Sequence, residues 1–299
     1  MKTEILKLKK EKNAVILAHY YAPDEVQQIA DFVGDSFYLA KKAKQTTADI
    51  ILFCGVRFMG ESAKILNPDK KVLMPDISAD CPMAHMVKKG KIEQIRNDFD
   101  DLAVVCYINS TAELKCQSDV CVTSSNAVKI VKSLPNKNIF FIPDKNLGSY
   151  VAKQVPEKNI ILNDGFCPIH AKITKEQVLR AKLNHPDALV LSHPECEQQV
   201  LAVSDFTGST AQITDYVKSS KRDEFIICTE QGVEYRLLCD NTDKRFFFPE
   251  PVPCCTDMKF NTLENVLKVL EAESNEIILE EEICKKAMLP LNKMLELAK

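Results

Sequence analysis

The sequence repeats itself three times on one ruler, and that period limits the fold more than any other feature. An apolar run ends at a polar or aromatic residue in Ala14-Val-Ile-Leu-Ala-His19, Leu102-Ala-Val-Val-Cys-Tyr107 and Ala188-Leu-Val-Leu-Ser-His193, so the end residues stand 88 and then 86 apart. A second mark keeps the same register: Asp31-Phe-Val-Gly-Asp-Ser36, Asp119-Val-Cys-Val-Thr-Ser124 and Asp205-Phe-Thr-Gly-Ser-Thr210. A looser set is Asp49-Ile-Ile-Leu-Phe53, Asn138-Ile-Phe-Phe-Ile142 and Glu224-Phe-Ile-Ile-Cys228. Each period closes on a cysteine just past a short apolar run: Cys81, Cys167 and Cys255, 86 and 88 apart. Self-similarity at a fixed period denotes one supersecondary unit used three times.

Within each unit, continuous apolar runs alternate with segments of helical period such as Ser36–Thr46, Phe58–Leu66 and Ser209–Ser219. Continuous apolar strands between helices indicate a parallel sheet covered on both faces. Each unit therefore reads as β-α-β-α-β with three strands, and the chain as α/β, three homologous three-layer αβα domains with short parallel sheets. The expected boundaries are 1–86, 87–172 and 173–299. Linking helices are expected near Met86–Arg96 and Thr174–Asn184, the latter opened by a Thr174-x-x-Gln177 capping box. Two further helices, about Thr262–Glu273 and Glu280–Ala298, are expected to pack back on the first unit.

The net charge of −3 gives no general attraction to nucleic acid or anionic membrane. No stretch approaches the ~20 apolar residues that span a bilayer. The charged amphipathic start, Met1 to Lys12, is unlike a signal peptide, and a cytoplasmic location is expected. The chain has 12 cysteines but no Cys-x-x-Cys pair, so any metal site must be assembled from distant segments. Cys54, Cys106 and Cys228 lie inside apolar runs and read as core.

In open α/β sheets, ligands bind beyond the carboxyl ends of the strands. That rule places His19, Tyr107 and His193 at strand tips, with Tyr21, Asn109 and Glu195 each two residues further on. Ser36, Ser124, Ser209 and Thr210 precede helical segments, whose free N–H groups suit phosphate or carboxylate; the same residues also suit plain helix caps. Three thiols without a fourth protein ligand suit an iron–sulfur cluster with one open iron, or a catalytic zinc with an open position. Pro82 and Pro168 restrain the loops after their cysteines.

Together, Leu17-Ala-His19-Tyr-Tyr21, Asp31-Phe-Val-Gly-Asp-Ser36, Cys81-Pro-Met83, Gly165-Phe-Cys167-Pro-Ile-His170, Ser192-His-Pro-Glu195, Gly208-Ser-Thr210 and Cys255-Thr-Asp-Met258-Lys resemble the quinolinate synthase family, over nearly the whole chain. The resemblance implies three αβα domains in pseudo-threefold array around a central cavity. It implies a [4Fe–4S] cluster on Cys81, Cys167 and Cys255 with the fourth iron facing substrate. It implies condensation of iminoaspartate with dihydroxyacetone phosphate to quinolinate, with L-aspartate oxidase as the upstream enzyme. His19, Ser36, Tyr107, Asn109, Ser124, His193, Glu195, Ser209 and Thr210 match substrate-binding positions, and Tyr21, His170 and Glu195 are the acid–base candidates. A base at Glu195 is expected to have its pKa raised toward neutrality. The chain departs from the family pattern in its adjacent Cys254 and Cys255; the ligand position, three residues before Met258, is Cys255. The radical cluster protein of diphthamide synthesis has a similar triplicated plan. A non-catalytic iron or redox sensor, which would need a partner surface or nucleic-acid patch that no basic run supports, and a zinc lyase, which metal content separates, are the other readings.

Overall fold

The computed structural model describes all of residues 1–299. Three sheets, each of four parallel strands, follow one another along the chain. The first holds β1 (Ala14–His19), β2 (Phe32–Gly34), β3 (Ile50–Cys54) and β4 (Lys71–Leu73) in the order β2-β1-β3-β4. The second repeats that order with β5 (Leu102–Tyr107), β6 (Val120–Val122), β7 (Asn138–Ile142) and β8 (Asn159–Leu162). The third does so with β9 (Leu189–Ser192), β10 (Phe206–Thr207), β11 (Glu224–Cys228) and β12 (Arg245–Phe247). Four strands replace the three expected per unit. The extra one is β2, β6 or β10, an edge strand of two or three residues that falls inside the second sequence mark.

One device repeats with the sheets. Asp31, Asp119 and Asp205 accept the backbone N–H of Ile16, Val104 and Val190 at 2.8, 2.7 and 2.8 Å. Each also donates its own N–H to the carbonyl of that same residue. The aspartate thus bolts the entrance of the short edge strand to the central strand, which explains its place in the second sequence mark.

Side chains alternate across each central strand. On β1, Val15 and Leu17 join a core of 48 buried residues shared with the second sheet. Ile16 and Ala18 face a separate core of 13, closed by Ile5 of the helix Lys2–Glu11 and by Val266, Val269 and Leu270 of the helix Leu263–Ala272. That C-terminal helix packs on the first unit. The last helix, Glu281–Leu297, lies across helix Arg57–Leu66 of the first unit and also across helix Ala112–Cys116 and strand β6 of the second, and its Leu291 and Met294 complete the shared core. The third unit keeps two smaller cores of its own.

Helix Lys175–Asn184 opens with the expected Thr174–Gln177 capping box. The earlier linking helix starts later than expected, at Lys91, because Gly90 takes φ 78°, a left-handed position, after a 3-10 turn at Pro82–His85. No helix is long and apolar enough to cross a membrane.

Candidate active site

The carboxyl ends of the three sheets converge on one cavity of about 260 Å³. His19 and Tyr107 are the last residues of β1 and β5, and His193 follows β9 directly. These three line the cavity together with Tyr21, Ser36, Asn109, Ser124, Glu195, Thr210, His170 and the cysteines Cys81, Cys167 and Cys255. Ser209 does not. It is fully buried and caps the helix Thr210–Ser219, its Oγ accepting the Gln212 N–H at 3.2 Å while the Gln212 side chain takes its own N–H. Ser36 is free of that duty because Asp35 caps its helix, accepting the Tyr38 N–H at 2.9 Å.

Two histidines are fixed by the same local turn. The Tyr21 N–H donates to His19 Nδ1 at 3.2 Å, and the Glu195 N–H donates to His193 Nδ1 at 3.3 Å. With Nδ1 accepting, a neutral ring carries its proton on Nε2 and is a donor there. Burial holds both rings neutral, at about 3 against the usual 6.5, outweighing the pull of the nearby Glu195 charge. The site therefore offers two neutral N–H donors, one from the first unit and one from the third.

A chain of hydrogen bonds crosses between units. The Tyr21 hydroxyl lies 2.7 Å from both Thr210 Oγ1 and Thr229 Oγ1, and Thr229 Oγ1 lies 2.8 Å from His170 Nε2. His170 Nδ1 faces a Glu195 carboxylate oxygen at 2.7 Å. A carboxylate only accepts, so Nδ1 carries the proton; when the ring is neutral, its Nε2 accepts from Thr229, which accepts from Tyr21 in turn. The Glu195 carboxyl is not raised as expected of a base. Burial pushes it up, but His170 and His193, with the Tyr107 hydroxyl, outweigh burial and hold it at about 2. Its other oxygen is buried without a partner, as is Asn109 Oδ1. Unpaired polar atoms in a cavity wall are places for a ligand to complete.

Residues 3–296 match the family model described as quinolinate synthetase A protein. The quinolinate synthase of Caldicellulosiruptor saccharolyticus is 55% identical over 298 residues, covering 100% of this chain and 98% of its own. That of Fusobacterium nucleatum is 53% identical over 298 residues, covering 100% and 99%. That of Aquifex aeolicus is 49% identical over 304 residues, covering 100% and 94%. This chain belongs to the quinolinate synthase family. Its relatives are named as enzymes, and it is an enzyme.

For a family member, the cavity has an uneven charge pattern: Asp35, Asp80, Glu195, Glu230 and Asp257 line it, against a single lysine, Lys172. Burial raises the carboxyl pKa of Asp35 and, against the opposing Lys259, of Glu230, which softens that excess. Burial likewise raises the thiols of Cys81 and Cys167, and moves Cys255 to about 11. Metal binding at such thiols releases their protons. Ligand atoms of Cys167, His170 and Glu195 lie within 4.8 Å of one another and make a candidate metal site.

Sequence reasoning missed Thr229, Glu230, Asp144 and Lys259. Lys259 Nζ donates to the Tyr21 carbonyl at 2.8 Å and pairs with Glu230 at 3.0 Å. A signal for Asp144 and Glu230 did exist: each stands two residues beyond β7 or β11, 86 apart, on the same ruler as the strand tips.

Proposed function

We propose that this enzyme condenses iminoaspartate with dihydroxyacetone phosphate to quinolinate, releasing phosphate and water, with a [4Fe–4S] cluster on Cys81, Cys167 and Cys255. The observation that carries this reading is the meeting of those three thiols, one from each repeat, on the cavity that also holds His19, His193 and Glu195. An all-thiolate donor set suits soft metal chemistry, and no fourth cysteine lines the cavity. Bound there, a cluster with one iron free of protein ligands would supply a Lewis acid for a substrate oxygen.

The chain's own groups then divide the work. The Nε2–H groups of His19 and His193, with the hydroxyls of Ser36, Ser124 and Thr210, hold carboxylate and phosphate oxygens, aided by helix N-termini. Tyr107 and Asn109 orient substrate from the second unit. Tyr21 exchanges a proton with substrate and passes it through Thr229 to His170 Nε2, while the Glu195 charge stabilises the imidazolium that results. Glu195 itself becomes a better base once an anionic substrate lies beside it. The boundaries 1–86, 87–172 and 173–299, a cytoplasmic location and an upstream L-aspartate oxidase belong to the same proposal.

The test is anaerobic purification of wild type, Cys255→Ala and Cys254→Ala, with iron, sulfide and zinc measured beside quinolinate formation. About four irons and four sulfides per chain, lost with Cys255→Ala alone, support the reading. A second reading has one observation in its favour, the closeness of Cys167, His170 and Glu195. Zinc without sulfide would select that mononuclear site and end the cluster proposal.

A further inference from the structure

The backbone N–H of each candidate cysteine ligand is held by a carboxylate, but not in the same way in every repeat. Asp144 is fully buried and uses both oxygens: Oδ1 accepts the Leu147 N–H at 2.7 Å, and Oδ2 accepts the Cys167 N–H at 3.1 Å. Glu230, 1% exposed, does the same with the Gly232 N–H at 2.7 Å and the Cys255 N–H at 3.1 Å. Each carboxylate thus ties the cysteine loop to the chain leaving the third strand of its own sheet, where water does not compete for the bonds. In the first repeat that register belongs to Val56, 88 residues before Asp144, which has nothing to accept with. There the Cys81 N–H is held at 2.7 Å by its neighbour Asp80, whose other oxygen goes to His85 at 2.8 Å. Asp80 is 36% exposed, and its carboxylate ties the loop only to itself.

We infer that Asp144 and Glu230 are positioning residues that brace the Cys167 and Cys255 thiols, and that the Cys81 corner, tied through the Ala79 carbonyl to the Arg57 N–H and through the Asp80 N–H to Asp257 but by no buried carboxylate of this kind, is where a bound iron–sulfur cluster opens first. The inference rests on the ligand reading proposed above. Residues that orient metal ligands typically change metal affinity about 10–100-fold when replaced.

The experiment uses the full-length, anaerobically loaded protein. Loss of visible cluster absorbance under a strong iron chelator is timed in wild type, Asp144→Ala, Asp144→Asn, Glu230→Ala and Glu230→Gln. The alanine variants are expected to bleach roughly tenfold faster or more, and the amides, which keep one acceptor oxygen but set an NH2 against the second N–H, at rates between those and wild type. In parallel, partly bleached wild type is alkylated briefly and digested, and Cys81 is expected to gain label before Cys167 and Cys255, each rate being taken relative to the same thiol in the fully cluster-free protein. That arm needs no variant, so it decides the matter even where Asp144→Ala, which also loses a helix cap, fails to fold. Bleaching at the wild-type rate in both alanine variants, or an earlier relative gain of label at Cys167 or Cys255, overturns the inference while leaving the cluster itself in place. Wild type that holds no iron and sulfide overturns the ligand reading, and the inference with it.

Discussion

His170 and Glu195 meet at 2.7 Å through Nδ1 and a carboxylate oxygen, with side chains only 2% and 3% exposed. The contact orients the imidazole so that Nε2 faces Thr229 and, beyond it, Tyr21. Glu195→Gln keeps the shape and an acceptor oxygen but removes the charge that stabilises an imidazolium. Turnover is expected to fall about 10²- to 10⁴-fold, with the melting temperature little changed. Normal turnover in this variant would remove Glu195 from the proton path.

The buried histidines set a pH window for stability in the cluster-free protein. His19 and His193 resist protonation when folded, down to about 3, while in the unfolded chain they take up protons near 6.5. Between those values the unfolded chain binds more protons, so stability falls as pH drops below about 6.5. Glu195 acts in a lower window: its contribution is full above 4.5 and is lost as pH falls toward 2. The denaturation midpoint is therefore expected to drop between pH 7 and pH 5, and to drop less steeply in His193→Gln. Equal slopes in the two proteins would show that this ring is not protected from protons by the fold.

Thr229 is the shared partner of Tyr21 and His170, so the two ends of the chain should not behave independently. Tyr21→Phe and Thr229→Val each break the path while filling nearly the same volume. Each is expected to lower kcat by about 10²-fold or more, and the double variant by little more than either single one. Multiplying effects in a double-mutant cycle would mean that Tyr21 and Thr229 serve separate steps.

The strand tips and the cysteines were legible in the sequence because each recurs on the ruler and stands where a parallel sheet presents its ligands. The ring state of His19 and His193 was not, since it depends on a backbone N–H two residues ahead folding back onto Nδ1. Asp144 and Glu230 sit in register, but Val56 breaks the trio, so no repeated residue type marked the position. Ser209 carried the letters of an anion site, and only the side-chain geometry reveals that its hydroxyl is spent on Gln212. The last helix was expected against the first unit and packs there on helix Arg57–Leu66, but it also covers helix Ala112–Cys116 of the second, because amphipathic periodicity defines a buried face and not all the neighbours that face will meet.

Asp31, Asp119 and Asp205 make the same pair of contacts in three sheets, which allows a threefold internal control. Replacing any one by alanine leaves a backbone N–H of the central strand without its charged partner. Each variant is expected to lose about 1.5–3 kcal/mol, read as a lower midpoint in urea at constant slope. Three similar losses would mean the device is structural in every unit. A loss confined to one of them would tie that aspartate to something peculiar to its own unit.

Gly232 of the third unit packs against the backbone of Tyr21, the tyrosine proposed above to exchange a proton with substrate. A Cβ there would lie 2.7 Å from Tyr21 Cα and 2.9 Å from Tyr21 C, backbone atoms with no flexible end to swing aside. The approach is also fastened from both sides, since Gln27 Nε2 donates to the Gly232 carbonyl at 3.0 Å and Lys259 holds the Tyr21 carbonyl. Gly232→Ala must therefore push the Tyr21 segment outward by a good part of an ångström, and displacements on that scale cost about 10²-fold in rate when they misplace a reacting group. The expected result is a kcat lowered by roughly that factor, with iron content measured beside it, since the added Cβ also lies 2.9 Å from Glu230 Oε2 and presses on the carboxylate that holds the Cys255 N–H. Gly90→Ala is the matched control: nothing lies within 4 Å of its added Cβ, but its φ of 78° strains any side chain. That variant is expected to lose about 1–2 kcal/mol of stability and to turn over normally. Equal turnover in the two variants would mean that Tyr21 tolerates the displacement and that its hydroxyl does not need the position the third unit gives it.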